Sequence, residues 1–217
     1  MFDATTARRL MVDGQIRTAD VTDAALLDAM LTVPRELFLS AKLVPLAYLD
    51  ADLPVGKGRA LLRPMVLAKL LQAASIRPGE RLLDVGCATG YAAAILACLG
   101  ASVVGLEEDP NLAAAANAAL GAVGVANVEI VTGPLAAGWP GGGPYDGILL
   151  NGAAEVIPEA FAGQLTPEGW VIGVGGRPPA CKGMIYRLSE GALVGRPLFD
   201  AAATVLPGFQ TPPHFVF

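Results

Sequence analysis

Residues 82–91 read L-L-D-V-G-C-A-T-G-Y and combine a short apolar run, an acid and a loop of small residues. The alanine-rich residues 92–97 that follow are compatible only with a helix. The stretch therefore predicts a strand, a tight turn and a helix, with Asp84 at the carboxyl end of the strand. Gly86 and Gly90 allow another group to approach the loop backbone closely.

This arrangement predicts a ligand site beyond the strand. Loop amides and a helix N-terminus point N–H donors at one spot, where a carboxylate-bearing ligand can bind. A second predicted strand, residues 102–106, leads about 20 residues further on to Glu107. An acid at that position can hold both hydroxyls of a ribose, so the spacing predicts an adenosine-containing cofactor. The residues expected to bind it are Asp84, Gly86, Cys87, Gly90, Glu107 and Asn151.

The glycine spacing distinguishes two cofactor classes. Dinucleotide sites use G-x-G-x-x-G, whereas residues 86–91 read G-C-A-T-G-Y, with glycines four apart. The loop resembles the first motif of class I methyltransferases that use S-adenosylmethionine (SAM), with Ala88 in place of the middle glycine of G-x-G-x-G. The alternative is a glycine-containing turn that binds nothing, in which Asp84 and Glu107 cap helices, Cys87 fills space and Asn151 closes a turn.

Composition limits the class of protein. The 217 residues are enough for one α/β domain with an N-terminal addition. The net charge of −5 argues against nucleic-acid binding, which requires neutralised phosphates. The sequence lacks both the ~18–20-residue apolar run needed to cross a membrane and a signal peptide, so we expect a cytoplasmic protein. The three cysteines fit neither a disulfide framework nor a metal site and are expected to be free thiols.

Strands and helices alternate along the chain. This rhythm predicts an α/β fold, Rossmann-like, with a doubly wound, mostly parallel sheet, in which Asp84, Glu107 and Asn151 face one crevice. The predicted strands are 81–84, 102–106, 127–131, 145–150, 169–174, 184–188 and 215–217, at least one of the later ones antiparallel. Helices are predicted at 5–16, 23–33, 64–74 and 110–123. We expect residues 1–75 to form a helical extension on the substrate side, packed on a cofactor-binding core of residues 76–217 in a single compact unit.

Several motifs in order resemble those of the protein-L-isoaspartate O-methyltransferase family. Residues 11–17 (M-V-D-G-Q-I-R) resemble M-V-x-x-Q-I/L-R, and residues 33–38 (V-P-R-E-L-F) match V-P-R-x-x-F. Residues 47–56 resemble A-Y-x-D-x-P-L-P-I-G, and residues 145–158 are similar to Y-D-x-I followed by A-A-x-x-I-P. The resemblance implies a class I methyltransferase fold, SAM as cofactor, and methyl transfer to a carboxylate of damaged, isoaspartyl protein in protein repair.

The acceptor-side motif departs from that family. The family reads G-x-G-Q-T-I-S-Q-P, with a threonine and a serine beside the substrate carboxylate, where residues 58–64 here read G-R-A-L-L-R-P. Ala60 and Leu62 therefore stand at the two hydroxyl positions, and the sequence assigns no catalytic residue. Arg59 or Arg63 can replace the hydroxyls by forking onto the carboxylate, or both belong to an ordinary solvated face. The family's acid near the adenine amino group is replaced by Pro134.

The implied methyl transfer to a carboxylate needs little acid–base catalysis. A carboxylate has a reference pKa near ~4, so it is ionised at pH 7 and needs no general base. His214, the sole histidine, is interpreted as a tail residue. Three interpretations remain open: an isoaspartyl methyltransferase with a rebuilt acceptor site, a methyltransferase with another acceptor, and a catalytically silent homologue. Methylation of a nucleic-acid base is disfavoured because Asn151-Gly152-Ala153-Ala154 lacks the N/D-P-P-Y/F loop that stacks a flipped base.

Overall fold

The computed structural model describes residues 3–56, 58–177 and 179–211. Its α-helices are α1 (Ala4–Met11), α2 (Ala24–Thr32), α3 (Pro64–Ala74), α4 (Tyr91–Cys98) and α5 (Pro110–Val123). Its strands are β1 (Leu53–Gly56), β2 (Arg59–Leu61), β3 (Arg81–Val85), β4 (Ser102–Glu107), β5 (Val128–Thr132), β6 (Tyr145–Ala154), β7 (Leu165–Gly175), β8 (Lys182–Ser189) and β9 (Ala192–Asp200).

A seven-stranded sheet has the order β5-β4-β3-β6-β7-β8-β9. The strands from β5 to β7 are parallel, whereas β8 and β9 are antiparallel additions at one edge. The order reverses at β3, since the chain first adds β4 and β5 on one side and later β6 on the other. Such a reversal opens a crevice at the carboxyl ends of the strands. The predicted doubly wound sheet is confirmed, with two late antiparallel strands.

The N-terminal segments pack on one face of this sheet. Met11 of α1, Leu27 of α2 and Leu67 of α3 are buried in the same hydrophobic cluster as Ile172 of β7. The boundary proposed between residues 75 and 76 stays a prediction. Helix α1 is shorter than predicted because the chain continues as a π-helix over Val12–Ile16.

A short antiparallel hairpin, β1 and β2, was not predicted and precedes α3. Its strands have four and three residues, too few for a period-two pattern to be distinguished from a loop. The two strands of the hairpin lie over the carboxyl ends of the sheet, where Arg59 contacts Glu107 at the end of β4.

Two predicted features lie outside the described residues, namely the tail residue His214 and the strand at 215–217. Within the part that is described, no helix combines the length and the apolar character needed to cross a bilayer. Cys87 and Cys181 are buried free thiols, and Cys98 at the end of α4 is an exposed one.

Candidate active site

The loop between β3 and α4 is built from residues in left-handed backbone conformations. Gly86, Ala88 and Gly90 have φ values of 74°, 52° and 91°. Glycine adopts this conformation without steric cost, whereas Ala88 holds its Cβ in a disfavoured region. A Cβ built on Gly86 would lie 2.5 Å from Nη2 of Arg59 and 3.0 Å from Leu206, so a side chain at that position would displace both.

Four amides of the loop, those of Gly86, Cys87, Ala88 and Gly90, have internal partners and are therefore not among the expected free donors. The N–H groups of Gly86 and Cys87 both donate to the carbonyl oxygen of Leu106, and Gly90 donates to that of Cys87. The amide of Ala88 donates to Oε2 of Glu107 at 2.8 Å. The loop is therefore fixed to the end of β4.

Asp84 is the most unusual group in the crevice. Its side chain is fully buried, and neither carboxylate oxygen accepts a hydrogen bond of normal geometry in the described chain. Burial raises the pKa of Asp84 to about 7, while Asn151 and Arg59 nearby lower it in part. A buried carboxylate without a partner is costly, and a positively charged ligand group would relieve that cost.

Asn151 lies beside Asp84, as the sequence predicted. Its side chain is buried, and Nδ2 has no hydrogen-bond partner among the described residues. Strand β6 continues past Asn151 to Ala154, so this residue lies inside the strand rather than at its end. Asp84 and Asn151 thus present one carboxylate and one amide that are available to the same ligand.

Glu107 ends β4 with a buried carboxylate that has several partners. Its Oε1 accepts hydrogen bonds from the amides of Glu108 and Asp109, at 3.0 and 3.3 Å. Arg59 adds a bidentate ion pair, with Nη2 to Oε2 at 3.0 Å and Nε to Oε1 at 3.4 Å. Arg59 Nη2 also donates to the carbonyl oxygen of Gly86.

The two candidate arginines have different environments. Arg59 is 5% exposed and pairs with Glu107 inside the crevice. The side chain of Arg63 is 35% exposed and pairs with Asp52 at 3.4 Å. The two residues therefore do not form one solvated face, and only Arg59 of the pair reaches the predicted cofactor residues.

A small opening of about 220 Å³ lies next to the crevice. We call it the hairpin opening; it is lined by Asp52, Pro54, Gly56, Gly58, Arg59, Ala60 and Thr204. Ala60 lines it without a hydroxyl, and Leu62 is a buried core residue. Thr204 also lines the opening and carries a hydroxyl. It was not predicted as a site residue, because the sequence around it contains no recognisable motif.

That segment, residues 204–209, covers the carboxyl end of β6. The amide of Ala153 donates to the carbonyl of Thr204, and the amide of Leu206 donates back to Ala153, both at 2.8 Å. The amide of Glu155 donates to Phe209 at 2.9 Å. The segment therefore forms one wall of the crevice, with Leu206 against Gly86.

The predicted cofactor residue Cys87, and Pro134 at the position of the family's acid, have limited side-chain roles. The thiol of Cys87 is buried, and a Cβ on Gly105 of β4 would lie 3.2 Å from its Sγ. Burial raises the pKa of the Cys87 thiol well above its usual range, so it stays neutral. Pro134 is exposed just after β5 and provides no acid there.

Comparisons with known proteins agree with this geometry. The family model for protein-L-isoaspartate(D-aspartate) O-methyltransferase matches residues 7–179. A protein-L-isoaspartate O-methyltransferase of Methylorubrum populi is 44% identical over 172 residues, which cover 79% of this chain and 80% of that protein. One of Koribacter versatilis with the same name is 36% identical over 203 residues, or 94% of this chain and 91% of its own.

Solved structures show the same fold. A protein-L-isoaspartate O-methyltransferase superposes with a TM-score of 0.82 at 24% identity, covering 93% of this chain and 66% of that one. A Plasmodium falciparum structure, described as a putative member of that family in complex with S-adenosyl-L-homocysteine, gives 0.77 at 18% identity and covers 95% of this chain and 99% of its own. The chain therefore belongs to the protein-L-isoaspartate(D-aspartate) O-methyltransferase family of SAM-dependent methyltransferases.

Proposed function

We propose that this chain transfers the methyl group of SAM to the carboxylate of isoaspartyl residues in proteins or peptides. The observation that carries the proposal is the match to relatives of that name at 44% identity over 79% of the chain. The matched family region, residues 7–179, includes the crevice residues Asp84 and Glu107 and the hairpin with Arg59. The cytoplasmic location and the absence of nucleic-acid partners remain parts of the proposal.

The residues of the crevice fit the proposed cofactor. Asp84 would bind its amino group, because a buried carboxylate without a partner favours a cation. Glu107 would hold its ribose hydroxyls, and Gly86 and Gly90 would allow its close approach. Cys87 would contribute backbone alone, and Asn151 would line the site.

The reaction needs position more than acid–base chemistry. When bound, SAM supplies a methyl group on a positively charged sulfur. A carboxylate oxygen forms the new bond to that carbon while the carbon–sulfur bond breaks and its electron pair stays on sulfur. No proton moves, so the protein's task is to align the carboxylate, exclude water and hold the cofactor.

The test combines binding and transfer. The protein is titrated calorimetrically with S-adenosylhomocysteine (SAH), and labelled methyl transfer from SAM is measured on an isoaspartyl peptide and on the same peptide with normal aspartate. We expect SAH binding and transfer to the isoaspartyl peptide alone. Binding without transfer would reject the acceptor, and no binding at millimolar SAH would reject the enzymatic function. Asp84→Asn is the matched variant, expected to weaken SAH binding.

A further inference from the structure

We infer that Arg59 binds the carboxylate of the methyl acceptor, and that cofactor binding frees it for this role by displacing it from Glu107. The inference rests on the proposed function and assigns its acceptor-binding residue. It starts from one observation: the guanidinium of Arg59 occupies both carboxylate oxygens of the acid expected to hold the cofactor's ribose.

The carboxylate of Glu107 cannot bind Arg59 and a ribose at the same time. An ionised carboxylate offers about four lone-pair positions. Three backbone amides, those of Ala88, Glu108 and Asp109, already donate to Glu107, and Arg59 adds two further contacts. The three amides leave about one position, on Oε2, and Arg59 occupies it, so a ribose hydroxyl finds an acceptor position on Glu107 only if Arg59 moves away. The backbone amides keep the buried carboxylate hydrogen-bonded after that exchange.

The second observation is the hairpin opening, where we place the acceptor. Arg59 lines this opening together with Ala60 and Thr204. Asp52, a carboxylate in the same opening, accepts a hydrogen bond from the Arg63 amide at 2.8 Å and pairs with the Arg63 guanidinium. A guanidinium released from Glu107 thus enters an opening whose own carboxylate is already paired, and it can fork onto an incoming carboxylate.

This role accounts for the changed acceptor motif. Ala60 and Leu62 remove the two hydroxyls that the family motif places beside the substrate carboxylate. An arginine provides five N–H donors in a planar fork that matches a carboxylate. Because Arg59 is tied to Glu107 until the cofactor replaces it, cofactor and acceptor are expected to bind with positive coupling, and this coupling is reciprocal.

The first experiment measures SAH affinity by calorimetry in the wild type, in Arg59→Gln and in Arg196→Gln. Arg196 is an exposed arginine on β9 and serves as the matched control. We expect Arg59→Gln to bind SAH about tenfold more tightly, because no ion pair must be broken, and Arg196→Gln to match the wild type. Equal or weaker binding by Arg59→Gln would overturn the displacement from Glu107.

The second experiment measures binding of an isoaspartyl peptide by fluorescence anisotropy, with and without saturating SAH. In the wild type we expect SAH to raise peptide affinity about tenfold or more. In Arg59→Gln the coupling should vanish and the KM for the peptide should rise about tenfold, with a smaller change in kcat. Arg59→Lys should restore part of the peptide affinity, since it keeps the charge without the fork.

The outcomes separate this inference from the proposed function. A wild type that binds SAH but methylates no isoaspartyl peptide contradicts the proposed acceptor, whereas the SAH titration of Arg59→Gln still tests displacement. Circular dichroism melting checks that each variant is folded. If Arg59→Gln does not fold, the wild type decides: peptide binding that is independent of SAH contradicts the inference, and strong coupling that weakens in Arg59→Lys supports it.

Discussion

The guanidinium carbon of Arg35 lies 4.7 Å from the centre of the Tyr91 ring. Arg35 belongs to the V-P-R segment near the N-terminus, and Tyr91 begins α4 directly after the glycine loop. Arg35 is fully buried and also donates to the carbonyl oxygens of Ala47 at 2.9 Å and Leu62 at 2.8 Å. This buried arginine therefore ties the N-terminal segments to the helix of the cofactor loop.

Arg35→Lys is expected to destabilise the protein by about 2 kcal/mol or more. The ammonium group cannot reproduce both carbonyl hydrogen bonds and the stacking on Tyr91. Urea unfolding followed by circular dichroism measures the free energy change. Arg196→Lys, at an exposed arginine, should change the midpoint little; an equal effect of both changes would contradict the role of Arg35.

SAH affinity should rise with pH around neutrality. The pKa of Asp84 is about 7, so its carboxylate is mostly protonated below that pH and loses its attraction for the cofactor's ammonium group. Between pH 8 and pH 5.5 we expect affinity to fall about 30-fold. Calorimetry across this range tests the dependence, which Asp84→Asn should abolish. A flat profile in the wild type would show that Asp84 does not pair with the ligand.

Asp84→Asn should stabilise the protein in the absence of SAH at pH 8. The folded-state pKa of about 7 lies above the usual aspartate value of 3.8, so the fold favours the protonated acid, and stability is lost as pH rises from about 4 to 7. The shift sets an upper limit of about 4 kcal/mol on the gain. Thermal melts at pH 5 and pH 8 measure it, and the difference between variant and wild type should be larger at pH 8.

Ala88→Gly should stabilise the loop by roughly 1 kcal/mol, because Ala88 has a φ of 52° that glycine adopts freely. Urea unfolding provides the measurement. Ala93→Gly, within α4, is the matched control and should destabilise by about 1 kcal/mol or more. Changes of the same sign in both variants would contradict the strain assigned to Ala88.

Thr204→Val should raise the KM for an isoaspartyl peptide several-fold while leaving SAH affinity unchanged. Thr204 is exposed in the hairpin opening, where its hydroxyl is available to orient a carboxylate. Steady-state kinetics and calorimetry distinguish the two effects. Weaker SAH binding in this variant would place Thr204 on the cofactor side instead.

The convergence of Asp84, Glu107 and Asn151 could be predicted from sequence. Each follows from a local pattern of strand and loop, and parallel strands bring their carboxyl ends to one edge. The hydrogen bonds of the loop amides could not be predicted. They form because Leu106 and Glu107, on the neighbouring strand, lie close to the loop in the folded sheet.

The position of Arg59 could not be predicted either. Its charge and its neighbours fit a solvated face, and the hairpin that carries it is too short to leave a periodic signal. Its partner Glu107 is 48 residues away in sequence. Contacts between residues so far apart in sequence arise from tertiary packing, and local sequence patterns do not predict them.

The wall formed by residues 204–209 also bears on how the protein matures during synthesis. Ribosomes release the chain from its N-terminus, and domains begin to fold as they emerge. The glycine loop and its flanking strands emerge long before Leu206 can reach Gly86. The nascent chain can therefore form much of its sheet while the crevice still lacks this wall, and cofactor binding is expected to become possible only after residues 204–209 have emerged.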